Sequence, residues 1–89
     1  MRAKTYRHTA KTDVGTFRSD FAERQLPFAV VHCGHRYLPL ATERRVRERE
    51  GICYGWAANK ADADQLAAQA VADGCLNVAI HSVDIQELP

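Results

Sequence analysis

The stretch from His32 to Tyr37, "HCGHRY", places two histidines and a cysteine within four positions. Thiolates and imidazoles are the ligands that zinc prefers, and Cys53 and Cys75 could complete a set of four. The chain has no C-x-x-C or H-x-x-x-H pair, the spacings that bring such ligands together. We therefore favour separate structural roles for these residues and expect neither a metal nor another cofactor.

A tight turn explains the same stretch. Gly34 and His35 fit the two-residue loop of a β-hairpin, because glycine is favoured at the first position of a type II′ turn. Cys33 would then pair with Arg36 across the hairpin. Neighbouring residues of a strand point to opposite faces, so His32 and Cys33 would not bind one ion. The sequence therefore predicts a hairpin turn here rather than a metal site.

Nucleophilic catalysis would use Cys33 or Cys53 beside a histidine and a third, orienting group. The chain has no G-x-S-x-G motif, no glycine-rich phosphate loop and no close pair of carboxylates in apolar surroundings. Asp62 and Asp64 are the nearest pair, and both lie at the predicted start of a helix, where negative charge is favoured in any case. We therefore expect a protein that is not an enzyme.

Positive charge in the first half of the chain is the feature that points to a binding function. Residues 1–49 hold eleven Lys or Arg against five Asp or Glu, a net charge of +6, whereas residues 50–89 have a net charge of −5. Arginine suits the recognition of phosphate and carboxylate groups. We therefore predict a partner-binding surface in this half. Its residues are Lys4, Arg7, Lys11, Arg36, Arg44, Arg45, Arg47 and Arg49, with Arg18 as a further basic residue near the early strand.

The segment "ATERRVREREG" has a second explanation. Thr42 and Gly51 fit the N-cap and the C′ position of a short charged helix whose one apolar interior residue is Val46. Pairs four residues apart, such as Glu43 and Arg47, would stabilise such a helix in water without any partner. A solvated face and a binding face are both open for this segment.

Alternation with period two predicts the first strand. From Thr5 to Val14, residues directed to the core alternate with a basic solvent face. Gly15 interrupts the alternation with a bulge or a turn. For residues 19–26 the sequence leaves a helical turn and a ragged strand open.

Further apolar runs predict the other strands. "LPFAVVHC" is typical of a central strand, Pro39 confines "RYLPL" to an edge, and "ICYGWAAN" is another strand. "CLNVAIHSVDI" predicts the last strand, with Leu76, Val78 and Ile80 on its inner face and a change of register near His81.

A helix over about residues 60–73 is the clearest element. Its apolar residues recur at helical spacing and form one stripe: Ala63, Leu66, Ala67, Ala70 and Val71. Asn59 and Asp62 form a start that is similar to a capping box, and Gly74 ends the helix. Because most of the stripe is alanine, we expect the helix to lie close against a sheet.

The order of these elements predicts the fold class. Residues 1–89 should form a single compact α+β domain in which an antiparallel sheet of about four strands packs against one main helix, in ββ(β)βαβ order with one short charged helix. The chain is 46% hydrophobic and 26% charged and lacks a long apolar run, which predicts a soluble, folded protein. The absence of an apolar leader and three irregularly spaced cysteines predict a cytoplasmic location with reduced thiols.

Four segments carry a resemblance to a known group of proteins: "KTYRHTAKTDVGTFRSD", "FAVV", "YGWAANKADADQLAAQAVADG" and "LNVAIHSV". Together they resemble small proteins of phages and mobile elements, of the anti-CRISPR type. The resemblance implies antiparallel strands, a capped alanine-rich helix and a last strand, and binding to a bacterial surveillance complex or its nucleic acid without catalysis. It transfers no binding residue, and "HCGHRYLPLATERRVREREG" departs from the shortest versions.

The expected function is therefore that of a non-enzymatic protein-interaction module. The most specific expectation is a phage-type inhibitor of a bacterial CRISPR-Cas defence complex, a protein or ribonucleoprotein, bound through the arginine-rich half. Direct binding of DNA or RNA is the alternative, and a Cys/His metal-binding protein is third. We expect no membrane partner.

Overall fold

The computed structural model describes residues 3–33 and 51–89. Within these ranges the chain forms six β-strands and one α-helix. In chain order they are β1 (Thr5–Thr12), β2 (Gly15–Ala22), β3 (Phe28–His32), β4 (Ile52–Ala57), α1 (Lys60–Ala72), β5 (Ala79–Ser82) and β6 (Asp84–Leu88). The loop predicted at residues 34–35, the edge strand predicted at 36–40 and the charged helix predicted at 42–50 lie outside the described residues.

The strands form two antiparallel sheets of three strands each. Sheet A has the order β2-β1-β6 and sheet B has the order β4-β3-β5. Only Val83 separates β5 from β6, and its backbone N–H donates to the Pro27 carbonyl at 3.0 Å. β5 pairs with β3 in sheet B, whereas β6 pairs with β1 in sheet A. The register change predicted near His81 is therefore a change of sheet at Val83. The α+β class is confirmed, but two three-stranded sheets replace the single sheet that we predicted.

A two-residue turn at Asp13 and Val14 joins β1 to β2. Thr12 pairs with Gly15, and its hydroxyl donates to the Gly15 carbonyl at 2.8 Å and accepts from the Val14 N–H at 3.1 Å. Gly15 has a φ of 137°, a conformation that glycine adopts without strain. The interruption predicted at Gly15 is therefore the turn of a hairpin.

β2 continues as a strand to Ala22, where the hairpin ends. The next residue, Glu23, has a φ of 57°, and its N–H donates to the Lys4 carbonyl at 2.6 Å. Of the two assignments left open for residues 19–26, a strand is therefore correct for the first four positions.

The ends of α1 follow the capping signals in the sequence. The Asn59 side chain accepts a hydrogen bond from the Asp62 N–H at 2.8 Å. Gly74 has a φ of 94°, and the N–H groups of Gly74 and Cys75 donate to carbonyls of the last helical turn, each at 3.0 Å. This pair of bonds is a Schellman motif. The predicted start and end of the helix are confirmed.

α1 packs on sheet B through its predicted apolar stripe, except that the prediction is wrong for Val71, which is 50% exposed. Leu66 and the fully buried Ala70 lie against Val30, which is fully buried in the central strand. A Cβ atom on Gly55 of β4 would lie 3.2 Å from Leu66 Cδ1, so the glycine makes room for the leucine. The predicted packing of Leu66 and Ala70 on the sheet is confirmed.

Val78 and Ile80 contact the same core, as predicted for the inner face of the last strand. The prediction for Leu76 is wrong, because Leu76 is 40% exposed. Its carbonyl accepts from the Cys33 N–H at 3.1 Å, and Asn77 follows with a φ of 55°. The strand alternation therefore starts only after this turn.

His8 connects the two sheets. It is fully buried on β1, and its Nε2 accepts from the Leu26 N–H at 2.8 Å while its Nδ1 lies 3.1 Å from the Tyr6 carbonyl oxygen. Since Nε2 accepts, these partners assign the proton to Nδ1, which donates to Tyr6. The ring also packs edge-on against Phe21 of sheet A and Trp56 of sheet B, at centroid distances of 4.9 and 5.9 Å.

Candidate functional site

The side of sheet A that faces away from the buried His8 is a polar surface, and it is the candidate functional site. Residues two apart on a strand share a face, and the pairing register shows which of them lie side by side. We call this side the outer face, and its polar residues are Thr5, Arg7, Thr9, Lys11, Thr16, Arg18, Asp20, Asp84 and Gln86. All but two belong to the β1–β2 hairpin, so one local segment builds most of the surface.

Arg7 and Asp20 form a two-pronged ion pair across the hairpin. Nε and Nη2 of Arg7 donate to the two carboxylate oxygens of Asp20 at 3.1 and 3.3 Å. These hydrogen bonds raise the pKa of Arg7 and lower the pKa of Asp20. The two side chains are 41% and 40% exposed, so the pair adds little to stability and remains accessible to a partner.

Lys11 and Arg18 are the cations of the outer face that make no ion pair with a described residue. Both are exposed, and each lies opposite a threonine, Lys11 opposite Thr16 and Arg18 opposite Thr9. The charge of Arg18 also helps to lower the pKa of Asp20. A hydroxyl beside each cation can donate to an anionic oxygen that the cation attracts. The arrangement is suited to carboxylates or phosphates on a partner surface.

The aromatic residues of sheet A lie on the opposite, inner face. Tyr6, Phe17 and Phe21 alternate with the outer residues and are half-buried. The guanidinium of Arg24 lies 5.0 Å from the centre of the Phe21 ring. Within the described chain, the outer face therefore presents no aromatic ring on which a nucleic-acid base could stack.

The structure brings two of the three described binding residues together. Arg7 and Lys11 both lie on the outer face, as their spacing predicted. Lys4 precedes β1 at an even-numbered position, whereas the outer-face residues of β1 are odd-numbered. Its ammonium lies 3.8 Å from the Glu87 carboxylate. The remaining predicted residues lie outside the described ranges: Arg36, Arg44, Arg45, Arg47 and Arg49.

Asp20 and the outer-face threonines are site residues that we did not predict. A signal for them is present, because "TFRSDF" from Thr16 to Phe21 alternates polar and aromatic or small residues with period two. This alternation puts Arg18 and Asp20 on one side of a strand. Their position opposite Thr9 and Arg7 then follows from the two-residue turn.

The three cysteines lie in parts of the chain where burial or backbone hydrogen bonds determine their surroundings. Burial raises the pKa of the Cys53 thiol and of the Cys75 thiol, which disfavours the reactive thiolate. The backbone of Cys33 bonds to Leu76, and its carbonyl accepts from Asn77 Nδ2 at 2.8 Å. Cys53 and Cys75 therefore lack the lowered pKa of a nucleophilic cysteine.

Residues 3–33 and 51–89 contain no group of three or more His, Cys, Asp or Glu side chains that could hold a metal ion. His32 is buried, and its ring lies edge-on to Tyr54 at 6.3 Å. His35, one of the possible ligands in the sequence, lies outside the described residues.

α1, the helix of the described chain, is not long and apolar enough to cross a membrane. The resemblance to anti-CRISPR proteins stays a prediction from the sequence segments quoted above. No protein-family model, curated protein or solved structure matches the chain.

Proposed function

We propose that this protein is a non-enzymatic interaction module that binds an acidic protein surface through the outer face of sheet A. The observation that carries the proposal is the strand register, which sets Arg7, Lys11 and Arg18 on one exposed side of the sheet. Arg7 and Lys11 are four residues apart on β1, a separation of roughly 13 Å along the strand. Strands hold such a spacing more rigidly than loops, so the cations are organised before a partner arrives.

The mixture of charges on the outer face favours a protein partner over a nucleic acid. Asp20 and Asp84 lie among the three cations, whereas a surface that tracks a phosphate backbone is typically positive throughout. Charges of both signs in a fixed pattern select a partner with the complementary pattern and repel others. The inward position of the aromatic rings supports the same choice.

The partner class that the sequence resemblance implies is a bacterial defence complex of the CRISPR-Cas type. An inhibitor of such a complex can act by occupying one of its surfaces and needs no chemistry of its own, and the cations of the outer face favour a surface that is acidic. The sequence contains none of the catalytic motifs named above. Burial shields the thiols of Cys53 and Cys75. Docking by charge complementarity is the activity that the described residues support.

Affinity purification with two charge-matched variants tests the proposal. The outer-face variant carries Arg7→Gln, Lys11→Gln and Arg18→Gln. The control variant carries Lys4→Gln, Arg24→Gln and Lys60→Gln, which are the other described basic residues. Both variants lose three positive charges, so they have the same net charge and differ in where the charge is lost.

Immobilised protein is incubated with bacterial lysate, once untreated and once treated with nuclease. We expect proteins that wild type and the control variant retain and that the outer-face variant loses. Equal losses in both variants would show that overall charge, rather than the outer face, attracts the partner. Retention that disappears with nuclease treatment would identify a direct nucleic-acid binder instead.

A further inference from the structure

Within the described part of the chain, β2 is an edge strand, and half of its backbone groups point away from its one described neighbour. Among the described strands it pairs with β1 alone. The hydrogen bond from the Glu23 N–H to the Lys4 carbonyl shows which residues of β2 bond to β1. Because hydrogen-bonded and non-hydrogen-bonded pairs alternate along an antiparallel pair of strands, the odd-numbered residues of β2 direct their backbone groups to β1. The even-numbered residues therefore direct their N–H and C=O groups away from β1, to an edge that no other described strand pairs with. They are Thr16, Arg18, Asp20 and Ala22.

We propose that two copies of this chain pair antiparallel along β2, about a two-fold axis at Ser19, and form a continuous six-stranded sheet. Arg18 of each copy then lies opposite Asp20 of the second copy. Both residues direct their backbone groups outward, so each such pair can exchange two hydrogen bonds. The edge is thus complementary to itself in hydrogen bonding and in charge, as an interface with two-fold symmetry requires.

The inner side of the same strand is also complementary in this register. Phe17 of one copy lies opposite Phe21 of the second copy in a non-hydrogen-bonded pair, where the two Cα atoms approach to about 4.5 Å. Both rings are half-buried in the single chain and so have surface left for contact. Aromatic pairs and opposite charges across neighbouring strands are both stabilising.

The adjacent registers are disfavoured by charge. Other registers also pair even-numbered residues with even-numbered residues and so keep the same backbone groups facing each other. The two nearest ones move the two-fold axis by one residue, to Arg18 or to Asp20. The first places Arg18 opposite Arg18 of the second copy, and the second places Asp20 opposite its own counterpart. Like charges directly opposite destabilise a strand pair, so the axis at Ser19 is selected.

The pairing does not rest on the proposed function, but it uses Arg18 and Asp20 of the outer face and would place two outer faces side by side on one sheet. The contact is confined to one eight-residue strand in each copy. Stable complexes bury roughly 800 Å² for each partner, more than a single strand edge supplies. We therefore expect a weak dimer that forms with increasing protein concentration.

The wild-type chain gives the first test, with sedimentation velocity and amide hydrogen exchange measured from micromolar to millimolar concentration. We expect a monomer–dimer equilibrium and, with rising concentration, slower exchange of the amides of Arg18 and Asp20. A chain that remains monomeric, or exchange that does not depend on concentration at these two amides, would overturn the proposal. Open-ended oligomers would also overturn it, because they require head-to-tail pairing.

Two single charge reversals test the register. Arg18→Asp places two aspartates opposite two aspartates, and Asp20→Arg places two arginines opposite two arginines. We expect each variant alone to dimerise roughly tenfold or more weakly than wild type, and an equimolar mixture to recover dimers of wild-type affinity. In the mixture each Asp faces an Arg. A mixture no stronger than its components contradicts the register.

The double variant Arg18→Asp with Asp20→Arg makes this test independent of any folding defect in a single variant. It restores opposite charges within one chain, so we expect it to dimerise like wild type. Far-ultraviolet circular dichroism of each variant confirms the fold. If the folded double variant stays monomeric where wild type dimerises, the pairing through these two residues is refuted.

Discussion

The buried imidazole of His8 gives a prediction that tests how the two sheets are joined. His8→Phe keeps an aromatic ring between Phe21 and Trp56 but removes the acceptor for the Leu26 N–H, which lies 2.8 Å from Nε2. Leu26 is itself buried, so water cannot easily replace the lost acceptor. The variant therefore isolates one hydrogen bond between β1 and the segment that leads to β3.

The expected loss follows from the state of each polar group after the substitution. A buried donor without a partner costs about 1–3 kcal/mol, and the Leu26 N–H becomes such a donor. The Tyr6 carbonyl also loses the Nδ1–H, but it keeps its ladder bond because Tyr6 and Phe21 form a hydrogen-bonded pair. We therefore expect a loss of about 2 kcal/mol, which lowers the melting temperature of a domain of this size by about 8–16 °C.

Thermal and urea denaturation measure the loss, and ¹⁵N–¹H correlation spectra of the imidazole measure its tautomer. His81→Phe is the control, because His81 is a half-buried strand histidine that makes no side-chain hydrogen bond to a described residue. We expect the proton of His8 on Nδ1 and a clearly smaller effect of His81→Phe. Wild-type stability in His8→Phe, or a proton on Nε2, would refute this description of the junction.

Four further perturbations have expected outcomes. Leu66→Ala should lower the free energy of unfolding by about 2–3 kcal/mol, the lower part of the usual range because the side chain is only half-buried. Gly51→Ala should lower it by about 1–3 kcal/mol, since the new Cβ would lie 2.5 Å from Val14 Cγ2. The hydrogen bond to Asp73 raises the pKa of Tyr54 to about 12, so its stabilising effect is complete below the ordinary value of 10.0 and is lost as pH rises through about 12. Tyr54→Phe should remove that step from an ultraviolet pH titration. Thermal melts with and without a strong chelator should coincide, because we expect the chain to fold without metal.

Matched variants keep these outcomes specific. Val71→Ala removes an apolar side chain that is 50% exposed, and an effect as large as that of Leu66→Ala would contradict the packing of α1. Val14→Ala should partly rescue Gly51→Ala, because it removes the methyl group in the clash. Asp73→Asn should move the late tyrosine step to lower pH, and an unchanged step would assign it elsewhere. Stoichiometric zinc in protein purified without added metal, with unfolding by chelator, would contradict metal-independent folding.

The elements that the sequence predicted well are those whose conformation is determined by residues close together in the chain. The alternation of β1 and the signals at Asn59 and Gly74 describe conformations that a few adjacent residues determine. His8 lies on the core side of the same alternation and is buried. Its partner, the Leu26 N–H, lies eighteen residues away and depends on how the chain returns after β2.

The change from sheet B to sheet A between β5 and β6 could not be predicted from neighbouring residues. Residues 78–85 continue an apolar pattern without a glycine or proline, so nothing local shows that β5 pairs with β3 and β6 with β1. The choice depends on which strand edge lies nearby in space. The outer face is an intermediate case, because Arg7 and Lys11 follow from period two, whereas their neighbours Asp20 and Thr16 require the length of the turn.

The association rate of the retained partner tests the outer face most directly as the binding surface. It is measured by surface plasmon resonance at increasing salt for wild type, the outer-face variant and the control variant. Charges at an interface mainly set this rate and its salt dependence. We predict that the outer-face variant associates several-fold more slowly with a flatter salt dependence, while the control variant behaves like wild type. Equal rates for the two variants would contradict binding through the outer face.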